Sequence, residues 1–553
     1  MIYEEKSPNK ILAVLILIAV FVILYSPWNL SIRELLSEEG KFAAIALEMN
    51  FLNPSTVAHG ETLANTYPLF PYIAAIFYKM GLPLETGVRL TSVLALAGMV
   101  ITIFVTCFRI AGIQSAVVGS AFMMSTMLML GKAIDGNPFT LGITLILLGW
   151  LLWYYCAAIK GSWNKAWIYG SIFCGLAFYT IGWAALFYFF LPLIFSRRPL
   201  TIWKRLNTAG FKIGMVIIAA FVGLWMIHRF DSVNPMSITT DDFSAFFTSN
   251  YLKDFIIYPF QLAFRLLPWT FIAWPAFCVA YHPLDKNPIF SRFLRTLFLS
   301  VFFVLWFSPD KDAKLSLLLV APLAIMAGMH YWLAVRRNGY TIHLLISIVI
   351  YLFTIYSAVS FFLFMLPQTI WAKTDFFKIL QAGVFQNGIS FFFSSHSIMG
   401  MAQTLLALLI GLATIIFRKK ISVWLHSLCA GLIFMLCFWA ITIPYRSQDN
   451  QAKLIASQIK NDIGDDYSPN LTIYKGAEIA DMYVLGAYIG CHIKKIHSYD
   501  QIPTSIKTAY VLTLNPPIYP ERQWTKVSSP VYNDTNIYVW EGVESPKKTG
   551  LEL

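Results

Sequence analysis

Glu38 and Glu39 stand side by side in the stretch Trp28–Lys79, with Lys41 two residues further on. Adjacent carboxylates suit proton transfer. One held partly out of water has a raised pKa and acts as a general base, and a neighbouring negative charge pushes it up further. The alternative is that both acids are solvated helix residues paired with Lys41. Cations suited to a phosphate lie elsewhere: Arg265, just before Leu267-Pro268-Trp269, and Lys311 and Lys314 within Ser308–Lys314. Each would grip a phosphate at headgroup level, or else anchor a helix end by snorkelling. Asp135, in the short loop Gly131–Pro138, belongs either to this polar face or to a turn ahead of Gly136.

The elements that must hold these residues are membrane helices. Of the 553 residues 58% are hydrophobic and only 13% charged, against about 25% charged in a soluble domain. Mean hydropathy is +0.63. The apolar runs are long enough for helices rather than barrel strands. Splitting residues 166–195 at Ile181–Gly182 gives about thirteen spans, two or three of them short for a core of about 30 Å. The first run, Ile11–Ser26, reads as an uncleaved anchor, with no small-residue cleavage site after it.

Charge sets the expected topology. The net charge of +12 is not a nucleic-acid signature, because the basic residues cluster in short loops between apolar runs. Lys6, Lys10, Arg109, Lys160, Lys165, Arg197, Arg198, Lys204, Arg205, Arg292, Arg295, Arg336, Arg337 and Arg418–Lys420 fall on one side. That side is expected to be the cytoplasm. The candidate site residues fall on the other. Leu35, Leu36, Phe42, Ile45, Ala46 and Met49 recur at helical spacing, so the first outer loop is expected to lay one face on the membrane surface.

From about Tyr445 the composition becomes that of a soluble domain. NLTIYKG, HIKKIHS and TAYVLTLN read as strands, AEIADMYVLGAYIG as a helix, and SSPVYNDTNIYVWEGV as a closing hairpin. The expected division is therefore a membrane domain over residues 1–444, including the outer loop 28–79, and a small α/β domain over 445–553. No Gly-rich phosphate loop, no CxxC and no Cys/His metal spacing appears. Six of the seven cysteines sit in apolar runs, and none is expected to form a disulfide.

Taken in order, these motifs resemble the GT-C superfamily of membrane glycosyltransferases, and most closely the group of the lipid A aminoarabinose transferase and the protein O-mannosyltransferases (glycosyltransferase families 39 and 83). Members carry Asp-Glu-(Thr)-Arg-Tyr-Ala in the first outer loop. The similar stretch here is Glu38-Glu39-Gly40-Lys41-Phe42-Ala43, followed by Ile45–Met49. The family's Gly-x-Pro-Tyr-x-Glu-Lys-Pro-Pro-Leu looks like Gly60–Leu69, with Tyr67 before Pro68. Arg89–Ser92 resembles Arg-Leu-x-Ser, Asp135 matches an outer-loop Asp, and Gly175–Gly182 resembles Gly-Leu-Ala-Phe-x-x-Lys-Gly. Leu267–Trp269 and Ser308–Lys314 complete the likeness, which covers about residues 10–335.

The departures are specific. Glu38 replaces the family's first Asp, and Thr66 and Ile181 stand where the family has lysines. Arg265, Lys311 and Lys314 would compensate, or the donor differs. The resemblance implies a mainly α polytopic GT-C protein with a small periplasmic α/β domain, in the bacterial inner membrane. It implies an inverting enzyme that takes a sugar from a polyprenyl phosphate and gives it to a lipid, glycan or protein acceptor on the periplasmic side. No metal or other cofactor is implied. Glu38 would be the base, with Glu39 as its catalytic neighbour. Lys41, Tyr67, Asp135, Arg265, Lys311 and Lys314 would bind substrate. The rival classes are a transporter or flippase of lipid-linked sugars, which would need polar residues near the bilayer midplane and internal repeats, and a non-catalytic scaffold.

Overall fold

The computed structural model describes residues 10–25, 30, 34–51, 56–63, 66–132, 134–196, 202–227, 249–278, 284–285, 287–308, 313–365, 398–418, 420–442, 452–468, 471–479, 482–503, 506, 508–517, 522–532 and 535–544. The chain forms two compact units, one of Met1–Ile32 with Ser92–Tyr445 and one of Arg33–Thr91 with Arg446–Leu553. Residues 33–91 therefore fold with the tail, whereas the expected division put them with the membrane helices. The reason lies in their apolar face. Leu35, Ile45, Ala46 and Met49, expected to rest on a lipid surface, are buried in protein.

The first unit is a set of apolar helices. Seven among the described residues are long and apolar enough to cross a membrane: Leu84–Ala111, Pro138–Ile159, Ala209–Ile227, Pro288–Phe307, Leu317–Met365, Ile398–Ile416 and Val423–Ile441. The pair Tyr251–Arg265 and Thr270–Phe277, bent by 99°, is either an eighth, broken span or a re-entrant loop. The expected number, about thirteen, exceeds this count. Part of the difference is length. Lys10–Tyr25, Ile113–Ser125 and Trp183–Phe195 are apolar but run only 10–17 residues, and a core of about 30 Å takes about 20 residues at 1.5 Å each. Part is continuity. Leu317–Met365 is one 49-residue run with a non-helical Asn338 inside it. Straight, it would reach about 74 Å, more than twice the hydrocarbon core.

Side-chain bonds and small residues tie these helices together. Trp150 donates its indole N–H to Phe189 O at 3.0 Å, Trp269 to Ser125 Oγ at 2.9 Å, and Tyr25 its hydroxyl to Met124 O at 2.6 Å. A Cβ at Gly328 would stand 2.5 Å from Ser115 O, and one at Gly431 2.5 Å from Ser125 O. Such close approach of helix backbones is how apolar helices gain contact where no hydrophobic drive separates them from lipid. The expected break at Ile181–Gly182 is present. Trp163–Ile181 ends there and Trp183–Phe195 begins, with Gly182 at φ 66° between them.

The second unit is built on a five-stranded sheet in the order β4 (His492–Ile496), β3 (Thr472–Gly476), β5 (Thr508–Thr513), β7 (Tyr538–Glu544), β6 (Arg522–Ser528). β3 pairs in parallel with β4 and β5, and β7 is antiparallel to both its neighbours. The helix Tyr483–Ile489 makes the crossover from β3 to β4 that a parallel pair requires. Tyr474, Ile496, Ile502, Ala509 and Val511 form a core cluster under this sheet. The loop segment adds the helices Ser37–Glu48 and Leu69–Lys79, and a short hairpin of β1 (Val57–Ala58) and β2 (Glu61–Thr62). The hairpin docks beside β4: Lys495 N donates to His59 O at 2.9 Å, and Lys495 Nζ to Glu61 Oε2 at 3.1 Å.

Candidate active site

The two neighbouring carboxylates have opposite surroundings. The helix Ser37–Glu48 starts after Leu36, and Glu39 sits at its third position. Its Oε2 reaches back to accept the Leu36 N–H at 2.9 Å, which satisfies one orphan donor of the first turn. The same carboxylate takes a two-pronged grip from Arg89, Nε to Oε1 at 3.2 Å and Nη2 to Oε2 at 2.9 Å. Both side chains are dry, 0% exposed for Arg89 and 2% for Glu39. Arg89 Nη2 also donates to Glu34 O at 2.8 Å. Glu39 is thus committed to holding the chain on both sides of the helix start. Glu38, one helical step away, is exposed, and Lys41 and Tyr67 are half-buried.

Residues from the tail buttress the same segment. Glu85 is buried. It accepts the Tyr488 hydroxyl at 2.8 Å and the Lys453 ammonium at 3.3 Å. Tyr488 Oη in turn accepts the Leu35 N–H at 2.9 Å. Burial, and then the Glu85 charge, push the Tyr488 phenol well above its ordinary range, so it stays a proton donor. Burial also raises Glu34, with the Lys453 and Ala452 amides and the Lys453 charge opposing. At the far end of the helix Glu48 accepts the His59 N–H at 2.8 Å and the Gly60 N–H at 3.4 Å. Burial raises its pKa in spite of those bonds.

The helix lies close against its neighbour. A Cβ on Gly40 would stand 2.5 Å from Val484 Cγ2, 2.7 Å from Val484 N and 2.8 Å from its Cα. Only a residue without a side chain fits between Glu39 and Lys41. The bonded frame fixes this helix, and Glu38 is the carboxylate it leaves exposed. Arg89 is within the sequence motif Arg89–Ser92, yet nothing local pairs it with an acid 50 positions earlier. Glu85, Lys453 and Tyr488 carried no signal at all.

Asp135, Lys314 and Arg265 belong to the first unit. Asp135 is buried, with Lys132 Nζ at 3.6 Å from its Oδ2. Its backbone O accepts the Asn137 N–H at 2.8 Å, and Asn137 caps the helix Pro138–Tyr154 through the Phe139 N–H at 3.0 Å. The turn reading of Asp135 is thus realised, while its carboxylate sits beside a cation. Lys314 Nζ lies 5.8 Å from the centre of the Phe139 ring. Two residues on, Ser316 Oγ and Tyr258 Oη are 3.2 Å apart, and the Arg265 charge acts on that tyrosine. Arg265 ends its helix at the 99° bend. Its Nη1 is buried with no hydrogen-bond partner among the described residues. Lys311 lies outside the described residues. Tyr258 and Ser316 meet only through tertiary packing, whereas Lys132 stands three residues before Asp135 and its pairing was readable from the sequence.

The buried Arg265 guanidinium nitrogen still has a bond to give. Among the described residues no group of three or more His, Cys, Asp or Glu side chains is placed to hold a metal ion.

This architecture is that of a known membrane fold. The chain superimposes on ArnT from Cupriavidus metallidurans bound to undecaprenyl phosphate with a TM-score of 0.68, over 97% of this chain and 99% of that chain, at 16% identity. The apo state of the same protein gives 0.66 over the same shares, also at 16% identity. No protein-family model and no curated protein matches the chain in sequence. The protein is thus a multi-pass membrane protein of the ArnT-like GT-C fold, mainly helical, with a small C-terminal sheet.

Proposed function

We propose that this protein is a glycosyltransferase that takes a sugar from a polyprenyl-phosphate donor and transfers it to an acceptor on the outer face of a bacterial inner membrane. The observation that carries this reading is the buried guanidinium nitrogen of Arg265, unpartnered among the described residues, in a fold shared with a protein solved with undecaprenyl phosphate. Among acceptors, the order of the sequence motifs favours lipid A modification of the aminoarabinose-transferase kind. A protein O-mannosyltransferase-like acceptor is the alternative.

In this reading Glu38 takes the proton of the acceptor hydroxyl as the oxygen attacks the anomeric carbon. The bond to the donor phosphate breaks with its electron pair going to the phosphate oxygen, so the configuration at carbon inverts. Arg265 and Lys314 stabilise the charge that appears there. Lys41 and Tyr67 contribute to substrate binding. Glu39 acts through Arg89, holding the helix that presents Glu38. Shielding of Glu38 then comes from the bound substrates rather than from the protein.

The test is transfer in vitro from a radiolabelled polyprenyl-phosphate sugar to lipid A and to envelope proteins by the purified protein. Label moving to an acceptor supports the reading. Translocation of the donor across a vesicle membrane without transfer would replace it with a transporter.

A further inference from the structure

A cavity opens in the membrane unit between two of its long helices. The helix Leu84–Ala111 and the helix Pro138–Tyr154 run in parallel. Ser92 meets Asn137 at one end, Oγ to backbone O at 3.2 Å, and Thr144 Oγ1 donates to Ala95 O at 3.1 Å one turn further along. Beyond these contacts the helices part around a cavity of about 500 Å³. Val105, Leu148 and Leu151 line its wall and Arg109 and Tyr155 its far end. Arg109 is 17 residues beyond Ser92, about 25 Å along the helix axis. The cavity mouth therefore belongs to the opposite end of the span from Asp135 and Asn137.

Its chemistry is divided. The wall is apolar, and the volume falls in the range of built ligand sites. The end is basic. Arg109 is exposed, and Lys160 Nζ stands 5.1 Å from the centre of the Tyr155 ring that lines the cavity. Neither cation has an ion-pair partner among the described residues. Ile101 and Ile159, which also line the cavity, are 62% and 58% exposed, so the slot is continuous with the apolar face that lipid chains would cover. Water would be a poor occupant of such a slot, and an uncharged lipid would leave two cations uncompensated.

We infer that this slot is a binding site for an anionic phospholipid of the surrounding bilayer, with one acyl chain between the two helices and the headgroup phosphate against Arg109 and Lys160. The inference is independent of the proposed transfer reaction. It concerns the other end of the span and would stand if that reaction were something else.

Native mass spectrometry of the detergent-purified full chain, titrated with phosphatidylglycerol or phosphatidylethanolamine, tests it. The wild type should retain one phosphatidylglycerol in preference to phosphatidylethanolamine. R109Q/K160Q should bind that one lipid roughly 30-fold more weakly, the loss expected for two surface charges, and Arg109→Lys should keep it. Val105→Trp, which fills the slot and leaves both charges, should also lose it. This variant decides the matter alone should the double variant not fold. Unchanged phosphatidylglycerol retention in R109Q/K160Q or in Val105→Trp would overturn the site, as would preferential occupancy by undecaprenyl phosphate.

Discussion

Arg89 closes on Glu39 with two hydrogen bonds, and neither side chain has appreciable contact with water. A pair of this kind is not a large net source of stability, because both ions lost their hydration on folding. Breaking it from one side is another matter. Arg89→Met leaves a buried carboxylate and is expected to cost about 3–5 kcal/mol. R89M/E39Q should recover much of that loss. A thermal-unfolding double-mutant cycle checks this, and purely additive losses would mean the pair is not coupled.

The neighbouring acids should separate cleanly under substitution. Glu38→Gln is expected to leave the melting temperature within error and to cut sugar transfer by about 10² or more, as for the loss of a general base. Glu39→Gln should lower the melting temperature, with transfer falling in step with the folded fraction. Wild-type transfer by the Glu38 variant would remove it from the chemistry.

Gly40 offers a test of geometry alone. Alanine there would place a methyl group 2.5–2.8 Å from Val484, including its backbone N and Cα. Overpacking of this kind costs about 1–3 kcal/mol. Trimming Val484 to Ala should not rescue it, since the backbone atoms remain. Restored thermal stability in G40A/V484A would show that the clash is with the side chain only.

Glu48 makes stability depend on pH. Burial holds its folded pKa above the unfolded value, so between the two the native state carries the extra proton. Stability from this group is therefore fully present below the ordinary Glu range and falls as pH rises through the raised value. Glu48→Gln should flatten that slope in melting curves taken from about pH 4 to pH 7. A slope unchanged in the variant would assign it to other groups.

The phosphate-binding reading makes a kinetic prediction. Arg265→Gln and Lys314→Gln should each lower kcat/KM for the lipid-linked donor by about tenfold or more, the scale of one charged hydrogen bond. Lys132→Gln, whose cation already faces Asp135, should do less. Equal and negligible effects from all three would detach this group from the donor.

Much of the fold was legible because hydrophobic runs report membrane helices directly. The boundary at Gly182 showed itself through the helix-breaking glycine, and β3, β4 and β5 through short β-branched runs. The helix Ala452–Ile463 was missed, although Ala452, Ile455, Ala456, Ile459 and Ile463 are buried at helical spacing. Its polar residues masked that stripe. The apolar face of Ser37–Glu48 was seen, but periodicity does not say whether such a face meets lipid or protein. Of the candidate site, the residue types were readable and the partnerships were not. Arg89 with Glu39, Tyr488 with Glu85, and Tyr258 with Ser316 are all made by tertiary packing, which leaves no local trace.

Leu35 and Tyr488 are joined by a hydrogen bond across 453 positions of sequence. During synthesis the early segment emerges first and lacks its contacts with the tail until the ribosome has finished almost the whole polypeptide. A message truncated anywhere before the tail would thus deliver inserted helices bearing an unfinished first loop segment, with Gly40 and Glu85 lacking their counterparts. Cells making such fragments should degrade them by recognising that segment, even where every crossing has been laid down correctly.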